Sequence, residues 1–146
     1  MSLNSLQFRS YIAGFLDGDG SIYVRAKPNI SYKFGYQVVA YVAFFQSASC
    51  KSFPALCKKI GYGTIRLRKD GIFKFTISRQ DEIVDFLKKV SSYLQLKQKQ
   101  SKLFLEILIL KQKIKNKNDF SELLRRIDLF RELNYSKKRK TRIMIP

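Results

Sequence analysis

The hydrophobic pattern changes period along the chain. Leu6, Tyr11, Ile12, Phe15 and Leu16 recur at helical spacing and predict a helix from Leu6 to Asp17, stopped by Gly18 and Gly20. Ser21 to Lys27 then alternates strictly, with Ser21, Tyr23, Arg25 and Lys27 on one side and Ile22, Val24 and Ala26 on the other, the pattern of a half-buried strand. Pro28 to Gly35 reads as a loop. Tyr36 to Gln46 is a second strand with two similar faces, and hairpin pairing with the first strand would turn Gln37, Val39, Tyr41, Ala43 and Phe45 outward. Phe53 to Ile60 predicts a short helix, with Pro54 in its first turn and Gly61 as its stop. Two strands, Gly63 to Lys69 and Ile72 to Ser78, meet at Asp70-Gly71, a strong hairpin signal. Beyond Gln80 the period lengthens to that of helices, over Asp81–Tyr93, Lys97–Ile114 and Phe120–Leu133, the last with Asp119 as its cap. No internal repeat is visible. The order is αββαββα followed by further helices: one α+β domain over residues 1–146, ending in a basic tail at 135–146.

Composition adds a partner to this outline. The 146 residues are 45% apolar and 14% aromatic, enough for a core, yet carry a formal charge of +18. Such an excess repels itself and is relieved by phosphates, so nucleic acid is the expected partner. The positive charge is spread through the chain with no isolated basic amphipathic helix, no apolar run long enough to span a bilayer and no signal-peptide pattern, which predicts a soluble, intracellular protein away from membranes. Cys50 and Cys57 lack metal-ligand spacing and there is no histidine, which removes zinc sites and Ser-His-Asp chemistry and leaves two reduced, structural cysteines. Catalysis here would rest on carboxylates, metal, lysine and water. Lysines outnumber arginines 19 to 10 and Asn, Ile and Phe are plentiful, as in AT-rich organellar genomes.

Asp17 and Asp19 are the only acids before Asp70, against ten Lys and Arg. An EF-hand loop starting at Asp17 fails, because its sixth position would be Ile22 and its twelfth Pro28. Two aspartates among glycines also suit an ordinary helix end and turn. What favours a site is the company they keep. Gly14 and Gly18 lie on one side of the helix, so two copies could pack backbone to backbone and bring two Asp19 carboxylates to a dyad. The strand face Tyr23, Arg25, Lys27, Gln37, Tyr41, Arg66, Arg68 and Lys74, with Thr76 beside it, alternates cations with amide and aromatic groups and includes no acid. Arginine can take guanine bidentately, glutamine adenine, and Val39, Ala43 and Phe45 suit thymine methyls.

The run Ile12-Ala-Gly-Phe-Leu-Asp-Gly-Asp-Gly20 resembles the LAGLIDADG motif. With Lys27-Pro-Asn29, Ser31-Tyr-Lys-Phe34, Leu96-Lys-Gln-Lys-Gln100 and the basic tail, the chain is similar over nearly its full length to the single-motif, homodimeric homing endonucleases of organellar group I introns. The resemblance implies an αββαββα core with additional C-terminal helices and a four-stranded antiparallel DNA-binding sheet. It implies metal binding by Asp19 with the Gly18 carbonyl, catalytic support from Gln46 and Lys97, and Lys51 at the periphery of the active site. It adds Asn29, Ser31 and Tyr32 of the loop and Lys137, Arg139 and Lys140 of the tail to the DNA contacts, and places Tyr11, Gly14, Asp17 and Gly18 in a dimer interface. The cofactor would be Mg²⁺, with Mn²⁺ able to substitute and Ca²⁺ supporting binding without cleavage.

The function so implied is Mg²⁺-dependent cleavage of both strands of a long pseudo-palindromic DNA site, leaving 3′ overhangs, by a homodimer in a chloroplast or mitochondrion, with no small-molecule substrate. A non-cleaving intron maturase that binds RNA is the alternative. It has no need of Asp19, Gln46 and Lys97. A plain architectural protein would explain the charge but not the Gly14/Gly18 face beside paired acids.

Overall fold

A computed structural model describes residues 2–133; the predicted tail contacts Lys137, Arg139 and Lys140 lie outside the described residues. In chain order the elements are α1 (Leu6–Asp19), β1 (Gly20–Pro28), β2 (Tyr36–Ser47), α2 (Phe53–Ile60), β3 (Thr64–Leu67), β4 (Ile72–Ile77), α3 (Gln80–Val90), a 3₁₀ turn (Ser91–Tyr93), α4 (Gln98–Gln112) and α5 (Lys117–Glu132). The sheet is antiparallel in the order β1-β2-β4-β3. This is the expected α+β arrangement, αββαββα with two more helices.

The helices cover one face of the sheet. Ile22, Val24 and Ala26 of β1, Val42 and Phe44 of β2, and Phe75 and Ile77 of β4 are buried with Ile12, Ala13 and Leu16 of α1 and with Ile83, Phe86, Leu87 and Val90 of α3. Phe104, Ile107, Leu123, Ile127 and Phe130 extend this core through α4 and α5. Each large side chain so removed from water contributes about 1.5–3 kcal/mol before entropy is set against it. The other face of the sheet is uncovered. Register settles the ambiguity of β2: Lys27 stands opposite Gln37, Arg25 opposite Val39 and Tyr23 opposite Tyr41, so the Gln37 set shares the outer face with the polar residues of β1. Phe45, Lys74 and Arg66 form one row across three strands, and Ala43, Thr76 and Thr64 form the next, where Ala43 is buried and does not offer the thymine-methyl contact expected of it.

Several boundaries differ from expectation. The first helix runs on to Asp19, so Gly18 lies inside it. Only Gly20 ends it, turning directly into β1 at φ −90°, ψ 171° while its N–H donates to the Leu16 carbonyl. A Cβ at Gly20 would come within 2.9 Å of the Leu16 Cα, so the abrupt change from helix to strand needs glycine there. β3 is shorter than predicted, and Arg68 sits in the turn beyond it, its N–H donating to the Ile72 carbonyl at 2.9 Å. The third helix gives way at Ser91 to the 3₁₀ turn, and α4 is a little shorter than expected at both ends. α5 is capped by Asn116 rather than Asp119: the Asn116 side chain accepts the Asp119 N–H at 2.9 Å, while the Asp119 carboxylate reaches back to the Lys115 N–H at 3.0 Å.

Both cysteines are free. Cys57 is buried in the core, and that burial pushes its thiol up to about 12. Among the described residues no helix is long and apolar enough to cross a membrane.

Candidate active site and nucleic-acid interface

The two aspartates at the end of α1 have different surroundings. Asp17 is engaged: Oδ2 accepts the Gln95 N–H at 2.7 Å, Oδ1 accepts the Lys97 N–H at 3.0 Å, and its main-chain carbonyl accepts the Lys97 ammonium at 2.7 Å. Asp19 is exposed, and its carboxylate accepts no hydrogen bond among the described residues. Lys97 is thereby held two residues from Asp19 along the helix end. Gln46 comes to the same end of the sheet. The last pair of β1 and β2 is Gly20 with Phe44, so Gln46 lies two residues past it, beyond the start of β1. It shares the face of Val42 and Phe44, turned to the helices, and lines a hollow with Tyr11, Phe15, Cys50 and Lys59. Its Oε1 accepts the Ser47 N–H at 3.1 Å. Lys51 is exposed in the turn between β2 and α2, and no contact ties it to the other four.

Oxygen donors suited to a hard divalent cation are present. Helix-end carbonyls lack intrahelical donors; here Leu16 is served by Gly20 and Asp17 by Lys97, which leaves Gly18 as the next in the row, beside the open Asp19 carboxylate. No group of three or more His, Cys, Asp or Glu residues lies together among the described residues, so the side chains of one chain do not by themselves complete a coordination shell.

Along the exposed side of α1 stand Leu6, Gln7, Ser10, Tyr11, Gly14 and Gly18. A Cβ added at Gly14 or Gly18 would meet nothing within 4 Å, so packing inside this chain does not demand glycine at either place. A mid-helix glycine costs about 1 kcal/mol relative to alanine.

The outer sheet face is organised around aromatic rings. Tyr23 stacks on Tyr41 with centroids 4.6 Å apart, and the Lys74 ammonium lies 4.8 Å from the Tyr41 ring and 5.8 Å from that of Phe45. Burial, then the neighbouring Tyr23, raises the Tyr41 phenol above its ordinary value. Arg25, Lys27 and Arg66 have no ion pair among the described residues. Arg68 departs from the expectation of an acid-free face: its guanidinium pairs at 2.7 Å with Asp70, two residues further on in the β3–β4 turn. In the β1–β2 loop, Asn29 Oδ1 accepts the Ser31 N–H at 2.9 Å and its own N–H donates to Gly35, which fixes a turn that leaves Ser31 and Tyr32 exposed. Ile30 at the tip is fully exposed. Ile30 and Leu96, the latter 69% exposed beside Lys97, are apolar surface positions that the sequence pattern did not single out.

A metal-capable carboxylate at a helix end, a held lysine and an uncovered basic sheet define a nucleic-acid hydrolase of one class. The chain belongs to the LAGLIDADG endonuclease family, whose model matches residues 12–108. It is 37% identical over 137 residues to DNA endonuclease I-CreI of Chlamydomonas reinhardtii, covering 92% of this chain and 83% of that protein. With I-CvuI of Chlorella vulgaris, also a DNA endonuclease, it shares 35% identity over 116 residues, covering 79% and 70%. A crystal structure of I-CvuI with its target in the presence of Ca superposes with a TM-score of 0.84 at 30% identity, covering 93% of this chain and 87% of that one. An archaeal intron-encoded endonuclease bound to DNA, at 18% identity and a TM-score of 0.80, shares the fold.

Proposed function

We propose that this protein is a homing endonuclease that works as a homodimer on one long, near-palindromic double-stranded DNA site, cutting both strands and leaving 3′ overhangs. The observation that carries the reading is the Asp19 carboxylate, left open at the end of α1 beside an exposed glycine stripe and at the margin of a basic, uncovered sheet. Two copies packed through Tyr11, Gly14 and Gly18 would bring two such carboxylates together. Asp17 shares that helix end, but its carboxylate is satisfied within the chain, which leaves backbone as its part in the interface.

Asp19 and the Gly18 carbonyl of each copy would hold Mg²⁺, with Mn²⁺ a substitute and Ca²⁺ supporting binding alone. When bound, the metal supplies Lewis-acid stabilisation of phosphate charge and lowers the pKa of water. The chain's own residues do the rest. Lys97 places an ammonium against the charge that develops on the scissile phosphate. Gln46, with a carbonyl and an amide to offer, orders water at the strand end, and Lys51 stands at the periphery. The outer sheet face, the Asn29–Tyr32 loop and the tail residues Lys137, Arg139 and Lys140 contact DNA, with Arg25, Gln37, Arg66 and Thr76 among those facing the groove. Residues 1–146 act as one domain, and the setting is an organelle carrying group I introns. I-CvuI in complex with the I-CreI target in the presence of 2 mM Mg was found with its DNA not cleaved.

The test is cleavage of candidate intron-insertion duplexes by the full chain in Mg²⁺, with Asp19→Asn as the control. Double-strand cutting at one site, lost in the variant, is expected. Binding of RNA with no cutting of any insertion duplex would assign the maturase role instead.

A further inference from the structure

Both carboxylate oxygens of the motif aspartate Asp17 already accept backbone N–H groups, and what they hold is the segment that carries Lys97. This segment joins the 3₁₀ turn to α4. It has one buried anchor, Leu94, and Lys97 occupies the N-cap position of α4 without supplying a side-chain cap. Amide groups ahead of a helix need acceptors from outside it. Those of Gln95 and Lys97 find both in a single carboxylate on another helix, 78 and 80 residues earlier in the chain. The same residue's carbonyl then takes the Lys97 ammonium at the negative end of the α1 dipole.

We infer that Asp17 is a positioning residue for Lys97: its carboxylate clamps the Gln95–Lys97 backbone so that the lysine emerges beside Asp19. This rests on the endonuclease reading above. A free lysine side chain gives up much rotamer freedom when it is placed against a reacting phosphate. The clamp sets the origin of that side chain before DNA arrives, and the Asp17 carbonyl gives the ammonium a resting place within reach. It also explains why two aspartates stand two residues apart at this helix end. One faces the reaction, and the other fixes the second cationic group that serves it.

Asp17→Asn is close to isosteric but replaces one acceptor with an NH₂ group facing a backbone N–H, so the clamp opens on one side. Small displacements of a catalytic group can cost on the order of 10²-fold in rate. With the full chain and its cognate duplex, single-turnover cleavage by Asp17→Asn is expected to fall about 10- to 100-fold. DNA affinity in Ca²⁺ and the Mg²⁺ concentration giving half the maximal rate should both stay at their wild-type values. In a Lys97→Ala background the same change should cost almost nothing further, because the two residues act as one unit.

An equal fold-loss in the presence and absence of Lys97 would overturn the inference, as would a raised Mg²⁺ requirement, which would make Asp17 a metal ligand. Failure of the wild-type protein to cut in Mg²⁺ would instead overturn the endonuclease reading on which the inference stands. Thermal melting reports whether each variant is folded. If Asp17→Asn is not, Asp17→Glu, which keeps both acceptors but moves them by one methylene, enters the same cycle with the same two outcomes.

Discussion

On the helical side of the molecule, several acids are paired with cations of the same chain. Arg126 bridges Glu106 at 2.7 Å and Glu122 at 3.1 Å, and Arg125 joins Glu122 at 2.6 Å. The side-chain bonds from Arg125 and Arg126 bring the Glu122 carboxyl down to about 2. Asp85 is held by Tyr62 and Lys89, and Arg79 by Asp81. On the uncovered face of the sheet, Arg25, Lys27 and Arg66 have no ion pair among the described residues, and Lys74 rests on aromatic rings. Asp19, at the border between the two regions, is equally unengaged. Lys and Arg occur in both places, so composition does not separate them. What separates them is that one side has acids at helical spacing while the other leaves its cations for a polyanion from outside.

The sharpest test of this division is at its border. Asp19→Asn should reduce cleavage by about 10³-fold or more, since it removes the charge that would hold the metal in a reaction where metal supplies several kcal/mol. DNA binding should be retained, because the basic face is untouched. Filter binding beside a cleavage time course checks both, and cutting at the wild-type rate would remove Asp19 from the mechanism.

Next comes Gly14→Leu. The added side chain enters open space in one chain, so the variant should still fold. It should lose the dimer, because an isobutyl group would keep two helices from close approach. Sedimentation velocity reads this directly, and a dimeric, active variant would place the interface elsewhere.

The two regions were not equally legible in sequence. The strict alternation of Ser21–Lys27 gave the strand and its outer face, and β2 became readable once paired with it, since register carries one face onto the other. The Asp-Gly turn and the Pro54 and Gly61 boundaries follow from local backbone restrictions and were found where expected. Asp19 stands out in sequence as one of two acids in a basic segment, Lys97 only by resemblance to the family, and the structure places them at the same helix end. The role of Asp17 was not legible, because its partners are backbone groups some 80 residues away and backbone amides leave no mark in sequence. The Asp70–Arg68 pair is hidden for another reason: the alternating pattern runs two residues past the end of the strand, and Arg68 already lies in the turn. For the cap of α5, Asn116 and Asp119 are both good candidates in sequence, and only the extended backbone of Asn116 decides between them.

Arginines on the two sides should answer differently to the same change. Arg66→Ala should cost about 1–3 kcal/mol of DNA binding, concentrated at one base pair if it reads a base edge. If Arg66 contacts phosphate instead, the loss will be alike for all sequences and the salt slope will fall by roughly 0.9 per contact. Arg126→Ala, on the helical side, should leave DNA binding unchanged and lower the melting temperature, since it removes the bridge between Glu106 and Glu122. Arg68 falls between the two: Asp70→Asn should free its guanidinium and tighten binding slightly. Binding to single-base variants over a salt series distinguishes these outcomes, and an equal effect of Arg66 and Arg126 would break the comparison.

The smallest effect is expected from the internal network itself. Burial acts to raise the Asp85 carboxyl, but the Tyr62 hydroxyl at 2.7 Å and the Lys89 ammonium at 3.0 Å outweigh it and hold the group below its ordinary 3.8. The Tyr62 phenol, raised by burial and by the same acid, stays neutral and remains a donor throughout the accessible range. A carboxyl with a depressed folded-state value contributes stability that is complete above the unfolded value and is lost as pH falls through the folded one. The contribution of Asp85 should therefore be steady above about pH 5 and fade below pH 4. Because the pair is nearly half exposed, solvent screening should keep it near or below about 1 kcal/mol. Melting temperatures of wild type and Asp85→Asn, measured from pH 6 to pH 3, should converge at the acid end. Tyr62→Phe should lower the wild-type melting temperature while narrowing that difference, since it removes one of the two groups that stabilise the anion. A gap between wild type and Asp85→Asn that widens on acidification would mean that the pair does not stabilise the folded state through its charge.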